Sequence, residues 1–528
     1  MKPFTIVNVL ACTVTLFLLL SCDKENIPIT ENYSERLQGL QIPKMVLGKK
    51  LENPYSTENM IKAYNLLEPR TKAAFGEDIV RTTHLYVKFI PKTEEELSIL
   101  KTDSTLVLFQ YPLDYEIKSY GSYRDPDIPE NQPTPLYCSV PIDKPLPTDV
   151  EYEVLEDLYI PDSQKVDTKL SSVSLILTEE FIDALVNKSF EITGNANDLS
   201  PATKAKKSSW VPQGSVRYYD SIKHEELPIE GLQVRCNRWF TTYTTYTKAD
   251  GSFKCKDSET FKDPANYSIV FERYDFEIRD AWLSTAKYDG PKKEGSWTVN
   301  FTNDKLSTYY STIFRAAYKY YYGDIHGLSR PPQNSIWKTQ LKIKATTRQN
   351  DKTLGYYSPG LRFIGLGSAI HLFSYNESLD ITYSATIHEL SHAAHWGLYK
   401  TDYNKADDFV CESWARGVEL FLTQDEYPDY AIPFYSSISY TGIIRDLMDG
   451  CGIKKMCWCF YDSKKEDFVD YTTPKWYIDN VSNYSLPQIE KSLKNSRTAI
   501  SWMNNLKELY QNETEIYLDD AFTFWSNK

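Results

Sequence analysis

The sequence predicts a multidomain α+β protein: an N-terminal α+β domain, a small β-sandwich, and a mainly helical C-terminal domain with a small antiparallel sheet. Three observations predict it. The chain has 528 residues, 41% hydrophobic and 14% aromatic, long enough for several cores and too apolar for a disordered polymer. Hydrophobic periodicity changes along it, from mixed to strand-like near 230–271 to mostly helical beyond 300. A stretch rich in Ser, Ala, Lys, Asn and Pro at 195–214 divides the first part from the rest. The formal net charge is −13 with no clustered basic stripe, which excludes nucleic acid as a partner class.

Residues 1–21 read as a targeting segment. Lys2 supplies a positive charge, and Val7 to Leu20 is a mostly apolar run too short to span a bilayer comfortably. It ends in Leu19-Leu20-Ser21-Cys22, which resembles a bacterial lipobox. The following Asp23-Lys24-Glu25 is similar to the charged tract of Bacteroidetes-type surface lipoproteins. That resemblance implies lipidation of Cys22 and an outer-membrane, surface-exposed location held by the lipid alone. Residues 22–45 are polar and read as a tether. The chain has nine cysteines; with Cys12 and Cys22 set aside an odd number remains, so complete intrachain pairing is ruled out. Cys236 and Cys255 can bridge two strands. Cys451, Cys457 and Cys459 lack zinc-ribbon spacing.

The N-terminal domain covers 46–194. Thr57 to Leu67 reads as a helix and Thr83 to Phe89 alternates like a strand. Thr93 caps a short Glu-rich helix, with Glu96 three residues on. Thr105 to Tyr111 reads as a strand, Pro126 to Pro135 as a surface loop, Val150 to Leu158 as a strand and Thr178 to Leu185 as a helix. No motif of recognisable chemistry lies here. After a linker at 195–215, the segment 216–290 reads as β-structure. Leu232, Val234 and Cys236 alternate, Asp250-Gly251 marks a tight turn, and Tyr267 to Phe271 continues the sheet. The Gly231-x-x-Val234 start and the Asp250-Gly251-x-Phe253 turn resemble the transthyretin-like, carboxypeptidase-regulatory-like sandwich. Such modules space or bind.

The last domain covers 291–528. Ser307 to Tyr320 reads as a helix, Gln340 to Thr347 and Ser368 to Tyr375 as strands, and Tyr440 to Met448 as a helix ending at Gly450. The closing helices carry Leu493, Ile500, Leu506, Leu509, Phe522 and Trp525. At the centre stands His388-Glu389-Leu390-Ser391-His392. On a helix, residues four apart lie one above the other, so His388 and His392 can grip one zinc ion through neutral imidazoles. Glu389, rotated about 100° from His388, lies beside the metal, where a general base for a zinc-bound water belongs. Tyr383, Ile387, Leu390, Ala394 and Leu398 form an apolar stripe away from the histidines, and Gly397 can end the helix.

A catalytic zinc needs three protein ligands and an open position. Residues 408–421 read as a second helix with Phe409, Val410, Trp414, Val418 and Phe421 on its apolar side, and its Glu412 follows His392 by 20 residues. His388, Glu389, His392 and Glu412 at this spacing resemble the gluzincin metallopeptidases, the thermolysin-like superfamily, over roughly residues 300–450. The resemblance implies a zincin-like domain, Glu412 as third ligand, and a polypeptide or glycoprotein substrate. It departs at Arg416, where the family has an aspartate that supports a histidine ligand. The metzincin pattern fails, because His395 and Leu398 occupy its glycine and third-histidine positions. His395 reads as a pocket-wall or hydrogen-bonded core histidine, and Asp407, Asp408 and Glu419 as solvated or paired helix residues. The family stabilises the oxyanion with a tyrosine or histidine; Tyr440 is the candidate, with Tyr435 and His326 as competitors. It also pairs extended substrate with a sheet edge, for which Ile370 to Phe373 is the candidate. The expected function is that of a cell-surface zinc metallopeptidase. The rivals are a protein- or glycan-binding lipoprotein with a structural or inactive zinc site, and a zinc hydrolase of non-peptide amides.

Overall fold

The computed structural model describes residues 44–67, 80–129, 132–161, 179–199, 208–280, 284–334, 340–348, 350, 353–360, 369–431, 440–449, 460–462, 467–469 and 479–526. The N-terminal segment with Cys22, most of the tether, Tyr435, Gly450, and Cys451, Cys457 and Cys459 lie outside them. No helix among the described residues is long and apolar enough to cross a membrane. The fold is mixed α+β. Its helices are α1 (Thr57–Leu67), α2 (Glu94–Thr102), α3 (Glu179–Ile192), α4 (Lys305–Tyr322), α5 (Leu379–Tyr403), α6 (Asp408–Glu426), α7 (Ile443–Asp449), α8 (Leu486–Ser492), α9 (Ala499–Leu509) and α10 (Leu518–Ser526).

In the N-terminal part, His84–Phe89 is the central strand of an antiparallel sheet, between Leu136–Pro141 and Tyr152–Leu158. α2 starts where its cap dictates: the Glu96 N–H donates to Thr93 Oγ1 at 3.2 Å, and the Glu96 carboxylate accepts the Lys92 N–H at 2.6 Å. The strand expected at 105–111 does not form. Asp103 folds the chain back by accepting the Thr105 N–H and hydroxyl. The Leu108 carbonyl is taken by Arg235 Nη1 at 3.0 Å, and only Phe109 bridges to a strand, at Tyr137.

Two four-stranded sheets follow. One centres on Gln213–Asp220, with Ser252–Lys254, Glu225–Pro228 and Trp297–Phe301 paired to it. The other runs Lys287–Lys293, Ala265–Val270, Gln233–Arg238, Thr241–Tyr246. They face each other through Tyr267, whose ring lies 5.3 Å from Trp297 and 6.2 Å from Phe253. Leu232, Val234 and Cys236 are buried, as their alternation demands, and Gly251 takes the positive φ of +80° that closes the turn. Cys236 and Cys255 are both buried with free thiols.

Strand pairing runs across the boundary expected at residue 290. Trp297–Phe301 pairs with Gln213–Asp220, whereas Phe276–Arg279 leaves the sandwich and pairs in parallel with Leu341–Ala345. The resulting sheet has the order Phe276–Arg279, Leu341–Ala345, Ile370–Leu372, Gly355–Tyr357. Its first two pairings are parallel and the last antiparallel, so it is mixed rather than antiparallel as expected. Ile370–Leu372 is interior, so the edge expected at Ile370–Phe373 belongs instead to Gly355–Tyr357. Arg279 is fully buried on the outer strand and bridges Glu94 of α2 at 2.9 Å and Glu277 at 2.7 Å; Lys342 joins Glu94, and Lys101 joins Glu277. This ionic cluster ties α2 to the sheet.

α5 lies between that sheet, α4 and α6, and every residue from Thr382 to His395 is buried. The last helices pack through Leu493, Leu506, Phe522 and Trp525, but Ile500 and Leu509 face solvent, at 68% and 44% exposure. An amphipathic count does not resolve which apolar residues a short helix turns outward.

Candidate metal centre

Two consecutive helices build the site. α5 is regular through the motif and breaks at Tyr399 and Lys400, just past Gly397. Leu398 is exposed, so the buried stripe ends at Ala394. α6 begins at Asp407, whose Oδ1 accepts the Val410 N–H at 3.0 Å. The α5–α6 packing brings Glu412 against the two histidines.

Three donor atoms converge. His388 Nε2 and His392 Nε2 are 3.2 Å apart, and Glu412 Oε2 lies 3.2 Å from the first and 3.3 Å from the second. Three ligands about 2.0–2.1 Å from one zinc ion at tetrahedral angles stand roughly 3.3–3.4 Å from one another. The triangle has those dimensions, and two imidazoles with one carboxylate are a donor set that suits zinc. Formal charge agrees. Glu389, Glu412 and Glu419 are buried with Arg416 as counterion, an excess of negative charge that a divalent cation would neutralise.

Glu419 supplies the support that the departure at Arg416 left unplaced. Its Oε2 is 2.9 Å from His388 Nδ1, its carboxylate is held by Arg416 Nη1 at 3.1 and 3.2 Å, and the Tyr430 hydroxyl donates to Oε1 at 2.6 Å. Glu412 and Glu419 are seven apart, two turns of one helix, so α6 holds His388 at both ring nitrogens. Burial works against the His388 imidazolium, but Glu412 and Glu419 outweigh it and push the group up to about 10. Burial likewise opposes the Glu419 charge, yet Arg416, then His388 and Tyr430, bring that carboxyl down to about 2. Glu412 is held well below the usual carboxylate range against its burial, by His392 and His388. The pocket is thus built to stabilise positive charge. His392 is held less firmly: its buried Nδ1 has no hydrogen-bond partner among the described residues.

Glu389, next to His388 in the sequence, is buried and packed so closely against the Gly355 backbone that a Cβ there would lie 3.0 Å from its Cγ and Oε1. Tyr440 stacks on His388 with ring centroids 6.0 Å apart, and its ring lies 5.7 Å from the Arg416 guanidinium. His326 is elsewhere, half exposed and paired with Asp425 at 2.9 Å. His395 is buried with its ring against Tyr403 at 5.0 Å, a core position. Sequence reasoning grouped Glu419 with solvated or paired helix residues and missed its partner. The signal for it was the two-turn interval from Glu412.

A second acidic group, Asp446, Asp449 and Asp479, is engaged within the protein: Asp446 accepts from Trp525, Asp449 pairs with Arg445 and Asp479 accepts the Val481 N–H. No family model matches this chain, and a search of the curated proteins found no match.

Proposed function

We propose that the protein is a zinc-dependent metallopeptidase. The observation that carries this reading is the triangle of His388, His392 and Glu412 donors, spaced for one tetrahedral ion; Glu389, the neighbour of His388 on α5, is buried with it. Zinc held by His388, His392 and Glu412 would supply a water of lowered pKa and a Lewis acid for the scissile carbonyl. Glu419 keeps His388 in the tautomer with hydrogen on Nδ1, so that Nε2 is free to ligate. Glu389 accepts the proton of the attacking water and delivers it to the leaving nitrogen. Tyr440, stacked on a ligand, is the candidate donor to the developing oxyanion. On the same reading, α4 to α6 with the mixed sheet form a zincin-like catalytic unit, and the two paired sheets form a transthyretin-like module beside it.

The test is Glu389→Gln. It preserves shape and leaves all three ligands, so metal analysis should find zinc retained while hydrolysis of a peptide library falls about 10²–10⁴-fold. Undiminished hydrolysis would remove the proposed mechanism. The lipobox-like Leu19-Leu20-Ser21-Cys22 supports a lipid anchor on the outer membrane. Cys22→Ala should move the protein from the membrane to the soluble fraction, and unchanged membrane association would exclude that anchor.

A further inference from the structure

Apart from the metal centre, the protein contains a cleft of about 590 Å³, within the usual ligand-site range of roughly 300–1,000 Å³. None of His388, His392 and Glu412 lines it. One wall is α2 with the segment that follows it. The second is the outer face of the sheet containing Gln233–Arg238 and Thr241–Tyr246. The third comes from residues 272–274 and the strand Leu341–Ala345.

The sheet wall is polar by register. Thr244 lies opposite Arg235 and Tyr246 opposite Gln233, and Ser268 lies opposite Arg235 from the other side, so these side chains share one face. Two buried polar atoms of this cleft have no hydrogen-bond partner among the described residues: Thr244 Oγ1 and Arg273 Nε. Unsatisfied buried groups are rare and costly, so two in one cleft ask for an explanation. Arg273 is distinctive. Its guanidinium is held by aromatic rings alone, 4.3 Å from the Tyr246 centroid, 5.4 Å from Tyr322 and 5.9 Å from Tyr318, and among the described residues it meets no carboxylate. The other cations of the cleft are committed. Lys101, Lys287, Arg279 and Lys342 each face an acid, and Arg235 donates to the Leu108 carbonyl.

We propose that this cleft binds a carboxylate-bearing sugar, with Arg273 as the carboxylate fork. A rigid, aromatic-clamped guanidinium matches a planar carboxylate. The lining carries six acidic and six basic residues, so a monoanion is accommodated where a dianion such as phosphate would be repelled by the acids. Hydroxyl and amide side chains, among them Ser98, Thr242, Thr244 and Gln340, suit a hydroxyl-rich body. Tyr246 and Tyr274, exposed by 44% and 62%, offer ring faces to stack against it.

The experiment is calorimetric titration of the full chain with methyl β-D-glucuronide, its neutral twin methyl β-D-glucoside, and N-acetyl-glycylglycine, a carboxylate on a peptide. The glucuronide should bind at least about tenfold tighter than the glucoside, with no comparable binding of the peptide. Arg273→Gln should abolish that preference while bound zinc stays unchanged. Thr244→Val, close in shape and folded as wild type by melting temperature, should weaken the glucuronide several-fold. Equal affinity for the two sugars, no saturation by the glucuronide, or a preference that survives Arg273→Gln overturns the proposal. Binding of the peptide in its place overturns the sugar assignment.

Discussion

Two buried clusters of charge share the C-terminal framework, and they are built to opposite plans. Around Arg279, protein meets protein: Glu94, Glu277 and Glu272 are answered by Arg279, Lys342 and Lys101, and the Thr285 hydroxyl donates to Glu277 at 2.8 Å. Around His388, three buried carboxylates stand with one guanidinium and two imidazoles among the described residues, and three donor atoms point at one another. The first cluster is complete in its own atoms and holds α2 to the sheet. The second, on the proposed reading, is the one that takes an added cation. Buried charge by itself does not mark a functional site; buried charge whose sum and geometry are left open does.

The largest expected effect falls on the open cluster. Zinc should stabilise the wild-type protein by about 4 kcal/mol at a thousandfold excess over its dissociation constant. His388→Ala, His392→Ala and Glu412→Ala should each abolish most of that gain, measured as melting temperature with and without zinc. A wild type that does not respond to zinc would make the two clusters equivalent and break the comparison.

The closed cluster should respond to a different change. Arg279→Ala leaves Glu94 to Lys342 and Glu277 to Lys101, removes the cation the two carboxylates share, and should cost about 3 kcal/mol in urea unfolding, with the zinc response intact. Its pH dependence has a defined sign. Burial works against the Glu94 and Glu277 charges, but Arg279 and then the lysines outweigh it, so both folded pKa values lie below the ordinary 4.5. Their contribution is present above that value and is lost as pH falls through the folded values. Unfolding midpoints measured from pH 7 down to 3 should therefore fall more steeply in wild type than in Glu94→Gln.

A smaller effect sharpens the open cluster. Glu419→Ala leaves all three ligands but frees the His388 ring, and zinc affinity should fall about 10–100-fold. His395→Ala, on the same helix with no donor in the triangle, should leave affinity unchanged. Equal losses in the two variants would show that the packing of α5, rather than the bond from Glu419, sets the affinity.

How much of this was legible depended on range. The α5 histidines follow from four-residue spacing, and the Thr93 cap from adjacent residues. The departure at Arg416 was visible, and its meaning was not. Arg416 neutralises Glu419, a relation readable only when α6 is known to face His388 with two carboxylates two turns apart. Strand order was illegible for a similar reason. Ile370–Leu372 has an edge strand's short length, but its two neighbours come from residues 341–345 and 355–357, and local alternation carries no information on who pairs with whom. The stretch at 105–111 has strand propensity and lost its ladder to Asp103 and Arg235.

The departure of Phe276–Arg279 from the sandwich also sets a timetable for synthesis. Its partner begins at Leu341, and the intervening chain takes roughly 3–12 s to emerge at ~5–20 residues per second. During that interval the strand has its local partners, with the Ile278 N–H on the Phe271 carbonyl and the Ala286 N–H on the Ile278 carbonyl, but the side that will meet Leu341–Ala345 is open to pairing with a neighbour. Glu277 and Arg279 lie within that strand, and charges in such a strand make it a poor template for another chain. The residues that later close the ionic cluster thus serve first as guards on the open side of the strand.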